Sequence, residues 1–410
     1  MTAAAVRRAA VVVVPPESDR RVITGLTLAE RARRVVVAAG VERERVHLVR
    51  TAGELAGVRG ALRDQPLLIV VAADQVVAAQ LVGPLRLGEP GDRVAIDPGR
   101  GGEAAGAWVV DAGRADEALA ALEAKLDGPG RALGLELEGC ARVEVDRRAR
   151  FPIREPGDLK AAIRWQFELV NKPLDAPICR YFYRPLARPL TILLLRTPLT
   201  PNVISVISIA LSLAGCAIAA SPDLTTHVVG LLVLLAGGIV DTNDGEVARL
   251  RLESSNAGAW LDAMGDDLAR IGLVLGLGGH VAAVHPSWPV WPITLAAVAM
   301  TVTSLVLIYW YCIFVIASSN NQDYTKALQI GPGVRAEGQR TAGQWIADLG
   351  AQIVRRDFID LGAVFVAAAG ASAVTFGLLS VGSLVTLIVV IPTHLKIVKA
   401  LRTGQLTRAV

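Results

Sequence analysis

Between residues 203 and 402 the chain repeats one pattern: an apolar run about as long as a bilayer is thick, a short polar break, then another run. Six such runs lie at roughly 203–220, 224–241, 260–284, 290–317, 358–378 and 382–402. Each approaches the ~20 residues that cross a hydrocarbon core as a helix. In hydrocarbon the backbone must satisfy its own hydrogen bonds, so such runs fold as helices rather than open strands. Arg249, Arg251, Lys326, Arg335, Arg340, Arg355, Arg356, Lys396, Lys399, Arg402 and Arg408 all fall where six spans place one side, while 221–223, 285–289 and 379–381 hold no Lys or Arg. The positive-inside rule then predicts an all-α six-helix transmembrane domain over residues 201–410, with both ends cytoplasmic.

The whole-chain figures, 52% hydrophobic residues and a mean hydropathy of +0.46, fit an integral membrane protein of the cell membrane. Residues 1–155 differ, mixing charges with apolar strands in a βα rhythm. Ala9–Val14, His47–Val49, Pro66–Ala72, Ala107–Val110 and Ala141–Val145 read as strands, and Thr27–Ala39, Ala52–Arg63 and Ala115–Lys125 as helices. Continuous apolar strands alternating with helices predict a soluble α/β domain with a Rossmann-type, mostly parallel sheet covered on both faces. The run Val11–Val14 is too short for a signal peptide and meets Pro15-Pro16, so this domain is expected in the cytoplasm. The cysteines (Cys140, Cys179, Cys216, Cys312) show no metal-ligand spacing. A net charge of +4 without a basic stripe points away from nucleic acid.

Residues 156–200 join the two domains. Asp158–Val170 reads as an amphipathic helix. Beyond it Lys172, Arg180, Arg184 and Arg188 alternate with aromatic and aliphatic residues, which suits a helix lying among lipid headgroups; a solvated linker is the plainer alternative.

The second apolar run leads directly into Asp241-Thr-Asn-Asp244-Gly245-Glu-Val-Ala248-Arg249, followed after eight residues by Gly258-Ala-Trp-Leu-Asp262-Ala-Met-Gly-Asp266. Asp241 and Asp244 share a helix face, as do Asp262 and Asp266, and the two pairs lie on consecutive antiparallel helices. Four carboxylates at a membrane edge cannot neutralise one another and call for cations. Hard oxygen donors without His or Cys suit one or two Mg²⁺ or Mn²⁺ ions. Gly245, Ala248 and Gly258 remove bulk beside the acids, which lets a phosphate-bearing ligand approach the backbone.

That stretch resembles the signature of the CDP-alcohol phosphotransferase family at every position. The resemblance implies a six-helix membrane enzyme in which an acceptor hydroxyl displaces CMP from a CDP-linked donor, with two divalent ions. It implies metal binding by Asp241, Asp244, Asp262 and Asp266, with Asp266 also the general base. It places Gly245, Ala248, Gly258 and Arg249 at the CDP site, although Arg249 is nearly as well explained by an ion pair. Thr200-Pro201-Asn202 resembles the family's entry motif, which adds Asn202 as a CDP contact beside its ordinary reading as a helix start. Lys172, Arg180, Arg184 and Arg188 resemble the juxtamembrane segment of fused members and become candidate contacts for a phosphorylated acceptor. Arg356 is another, with a capping pair to Asp357 as the commoner explanation.

The first domain resembles a nucleotidyltransferase through Gly25-Leu-Thr-Leu28, Ala38-Ala39-Gly40-Val41 and Val70-Val71-Ala-Ala-Asp74. Its first loop, Pro15 to Arg21, contains no glycine, and two prolines cannot offer the N–H groups of a phosphate cradle. An inactive domain is therefore expected. The resemblance leaves the donor as CDP-diacylglycerol or a CDP-inositol type, the acceptor as a lipid or inositol phosphate, and the assembly as a homodimer. Two rivals remain: a bifunctional enzyme that also makes its CDP donor, and a cation transporter, which would be expected to carry its acids near the midplane on broken helices.

Overall fold

A computed structural model of the chain describes residues 8–15, 22–63, 67–85, 89, 91–126, 137–153, 155, 157–170, 177–318, 323–324 and 355–406. Pro16–Arg21, Arg154, Pro156, Lys172, Lys326, Arg335, Arg340 and Arg408 lie outside the described residues. The chain forms two compact units: Met1–Pro173 with Arg249–Leu252, and Leu174–Ala248 with Glu253–Val410.

The first unit contains, in order, β1 (Arg8–Val13), β2 (Val22–Ile23), β3 (Leu26–Thr27), α1 (Leu28–Ala38), β4 (Val46–Val49), α2 (Ala52–Arg63), β5 (Leu67–Ala72), β6 (Gln75–Val77), β7 (Arg93–Asp97), β8 (Glu103–Asp111), α3 (Ala115–Leu126), β9 (Ala141–Glu144), β10 (Arg150–Pro152) and α4 (Asp158–Val170). The main sheet is ordered β4-β1-β5-β8-β7-β9. Side chains alternate across β1, so Ala10 and Val12 pack with Ala32, Val35 and Val36 of α1, while Ala9, Val11 and Val13 pack with Leu55 of α2 and Leu119 and Leu122 of α3. Burying each such Val or Leu contributes about 1.5–3 kcal/mol. Both faces are covered, as expected, but the sheet is mixed rather than mostly parallel. β1 pairs in parallel with β4 and β5, and β7 with β9, whereas β8 is antiparallel to β5 and β7. Only the short turn through Pro98–Arg100 separates β7 from β8, and so short a connection permits only an antiparallel neighbour.

The second unit is helical. A π-helical turn at Cys179–Tyr183 leads into α5 (Arg184–Leu194), followed by α6 (Pro201–Ala219), α7 (Leu224–Arg251), α8 (Asn256–Val284), α9 (Val290–Phe314), α10 (Arg356–Ala368) and α11 (Ser372–Arg402). Among the described residues, α6, α7, α8, α9 and α11 are long and apolar enough to cross a membrane. Asp223 caps α7 by accepting from the Thr226 N–H at 2.8 Å, and Ser255 caps α8 by accepting from the Gly258 N–H at 3.0 Å. Small residues let α6 press against its neighbours: a Cβ on Gly215 or Gly230 would strike the backbone of Leu234 or Ala219, and one on Gly276 the carbonyl of Cys216. At the end of α7 and α8 away from the aspartates, His227 and His280 stack with centroids 3.7 Å apart. His227 Nε2 meets the Ser372 hydroxyl at 2.9 Å, and His280 Nδ1 meets the Ser221 carbonyl at 2.6 Å.

The expected fifth span and the break at 379–381 need correction. α10 stops at Ala368, and 379–381 lie inside the 31-residue α11. Gly370 explains the stop: its φ is +72°, its N–H donates to the Ala367 carbonyl, and the Ala371 N–H donates to that of Val366. This is a Schellman end, which a glycine at that position favours. Thirteen residues reach only about 20 Å, short of the ~30 Å hydrocarbon core. α10 nevertheless runs beside α7 between two fixed points, because Arg356 lies 3.9 Å from Asp241 and Ser372 follows its far end at His227.

Candidate active site

Three of the four α7 and α8 acids come together. Asp241, Asp244 and Asp262 each present a carboxylate oxygen, and the three oxygens lie within 4.8 Å of one another. Oxygens on one Mg²⁺ at its usual bond length stand about 3–4 Å apart, so small rotations would let this set hold a divalent ion. Its donors are all hard oxygen, which fits such an ion and not zinc.

Asp241, Asp244 and Asp266 are held by neighbours from other helices. Three serines, Ser205, Ser208 and Ser212, line one buried face of α6. Ser205 donates to Asp244, Ser208 donates to Asp241 at 3.0 Å, and Ser212 accepts from Arg356 at 3.1 Å. Asp266 stands apart from the trio and accepts from Arg356 through its Oδ1. The same guanidinium donates to Asp360 at 3.3 Å. Arg356 thus brings a positive charge from outside the motif to Asp266, Asp360 and, at 3.9 Å, Asp241.

The remaining predicted residues are placed differently. A methyl on Gly258 would stand 3.1 Å from Asn202 Oδ1, so the starts of α6 and α8 adjoin. Gly245, Ala248 and Arg249 are half-buried on α7, and Arg180 and Arg188 are exposed. Arg184 is not at the surface: it is 4% exposed and pairs at 2.8 Å with Glu246, itself fully buried. The sequence reading missed Ser205, Ser208, Ser212, Asp360 and Glu246. The 3–4 spacing of the serines inside an apolar run was the available signal for the first three.

In the first unit Asp74 follows β5, with its carboxyl pushed up by burial against the opposing pull of its backbone hydrogen bond and of Arg150. Arg150 itself reaches Asp97 and the Gln75 side-chain carbonyl, each at 3.3 Å. The cluster thus holds an ion pair of its own, Arg150 with Asp97.

The chain is similar to several known proteins. Over 164 residues, 39% of the chain, it is 35% identical to the "Bifunctional IPC transferase and DIPP synthase" of Rubrobacter xylanophilus, and the match spans 35% of that relative's length. Among solved structures it is similar to Mycobacterium tuberculosis phosphatidylinositol phosphate synthase (PgsA1) with CDP-DAG bound, at 23% identity, TM-score 0.33, and 52% and 93% of the two chains. The same enzyme in complex with manganese and citrate gives 26% identity, TM-score 0.30, and 52% and 88%. At these TM-scores the structural likeness carries nothing further. Residues 198–330, which hold the whole signature from Asn202 to Asp266, match the model of the CDP-alcohol phosphatidyltransferase family, and this part of the chain is therefore a domain of that family of transferases.

Proposed function

We propose that the chain is a membrane-bound CDP-alcohol phosphotransferase, moving a substituted phosphate from a CDP-linked donor to an acceptor hydroxyl with release of CMP. The observation that carries this reading is the meeting of Asp241, Asp244 and Asp262 oxygens within 4.8 Å, inside the family-matched segment. These three acids would hold Mg²⁺ or Mn²⁺, and Asp266 would stand beside a second ion. Bound metal supplies Lewis-acid neutralisation of the diphosphate. The chain's own groups do the rest. Gly258 and Asn202 would stand at the mouth for the cytidine diphosphate, where only a glycine leaves room, with Gly245 and Ala248 on the facing helix. The acceptor oxygen bonds to the donor alcohol's phosphorus, the bond from that phosphorus to the CMP oxygen breaks, and the hydroxyl proton passes to Asp266. Arg356 holds Oδ1 of Asp266, so Oδ2 is the atom that takes the proton.

The donor is of the CDP-diacylglycerol or CDP-inositol type, and exposed Arg180 and Arg188 suit a phosphorylated acceptor. By the positive-inside rule, Lys396, Lys399 and the α7–α8 arginines favour a cytoplasmic site with both ends cytoplasmic. The α/β domain reads as an inactive nucleotidyltransferase-like module with a role in packing, homodimer formation or regulation. A second reading, a bifunctional enzyme, is favoured by the paired activities in the relative's name.

Purified full-length protein given Mg²⁺ or Mn²⁺ and a panel of CDP-alcohols and acceptors is expected to release CMP, and chelation to stop it. Asp266→Asn is expected to lose turnover while still binding donor; loss of donor binding instead sinks the base assignment. Protein that binds no Mn²⁺ and releases no CMP overturns the reading. Pyrophosphate release from CTP by the full chain would establish the second activity.

A further inference from the structure

Behind the metal acids, α7 carries a second polar group that the signature does not include. Asn243 and Glu246 are fully buried and stand about 160° around the helix from Asp241 and Asp244. They face a stripe of α5 made of Arg184, Ala187 and Thr191. Arg184 donates to Glu246 Oε1 at 2.8 Å. The Thr191 hydroxyl lies 2.8 Å from Glu246 Oε2 and 2.7 Å from Asn243 Oδ1, while the Asn243 amide donates to the Ile239 carbonyl. On its other side α5 exposes Leu186, Ile192 and Leu193.

A buried ion pair is a poor source of stability, because desolvating both charges offsets their attraction. What it supplies is direction. Apolar helix faces can turn against each other at little cost, whereas a carboxylate held by an arginine and a threonine cannot. The acid oxygens sit roughly 5–6 Å from the helix axis, so a 20° turn of α7 shifts them by about 2 Å, one metal–oxygen bond length. We infer that Arg184, Thr191, Asn243 and Glu246 are positioning residues that lock the rotation of α7, and so the aim of Asp241 and Asp244, from the neighbouring helix α5. The inference rests on the metal-site reading above.

Mn²⁺ binding to the purified full-length protein, followed by electron paramagnetic resonance without donor, tests it. Glu246→Gln, which keeps shape and hydrogen bonds, is expected to stay within about threefold of wild type. Glu246→Ala should weaken binding by at least about tenfold, the usual scale for groups that orient metal ligands. Should that variant fail to fold, Arg184→Met/Glu246→Leu removes both charges and keeps the packing, with the same tenfold loss expected. The loss should appear as a Mn²⁺-dependent rise in KM for the donor. Wild-type Mn²⁺ affinity in the double variant overturns the inference and leaves the pair a packing feature. If wild type itself binds no Mn²⁺, the metal-site reading falls, and this inference with it.

Discussion

Arg356 shows what residue-level charge accounting can and cannot reach from sequence. The four aspartates announce themselves through spacing alone, because fixed 3- and 4-residue intervals on helices dictate shared faces. Their counter-charge comes from a residue 90 positions beyond Asp266, and no local pattern ties the two. Asp360, which the same guanidinium bridges, stands at an (i, i+4) interval from Arg356, a spacing that marks the pair but not its place beside the aspartates. Removing the cation leaves Asp360 buried without its ion pair, a change worth on the order of 3 kcal/mol. Arg356→Gln should therefore lower the thermal midpoint in EDTA, and added Mn²⁺ should recover more of the loss than it adds to wild type. Differential scanning fluorimetry in detergent reads this directly, and equal Mn²⁺ responses in the two proteins would count against it. Arg184 is the converse case. Its position among aromatics and arginines read as a surface contact, yet its partner Glu246 sits at a variable position inside the signature, where sequence gives no hint of burial.

At the scale of elements, periodicity and length were legible and turns were not. The helices α6, α7, α8 and α9 lie close to where the hydropathic runs put them. The break between α10 and α11 was misplaced because Gly370 sits in an alanine-rich, uncharged stretch that hydropathy treats as continuous. In the sheet, β7 went unread since Arg93-Val-Ala-Ile-Asp97 is short and bounded by charges. Missing it concealed the antiparallel half. Gly245 of α7 and Gly258 of α8 were read as permissive beside the acids, but glycines farther along α6, α7 and α8 set how near the helices come. Gly230→Leu should separate α6 from α7 and cost about 1–3 kcal/mol, with the midpoint lowered by several degrees. A Cβ at Gly362 meets nothing within 4 Å, so Gly362→Ala serves as the neutral control in the same melting experiment.

For the molecule as a whole, the division into a charged α/β unit and an apolar helical unit follows from composition, since only the second can leave its surface in lipid. Orientation is a charge argument and can be checked as one. In a cysteine-free background, a cysteine at Ser287 is expected to react with an impermeant thiol reagent in intact cells, and one at Ser254 only after lysis; the reverse pattern inverts the topology. The stacked His227–His280 pair bears on the transporter reading left open above. Together with the seam where α6 lies too close to α7 and α8 for even a methyl group, it closes the end of the α7–α8 pair opposite the aspartates. Among the described residues, an ion drawn to those acids would therefore be expected to leave by the side it entered. Such a blind alley would suit a reagent that must be held and returned rather than a cargo delivered to the far side.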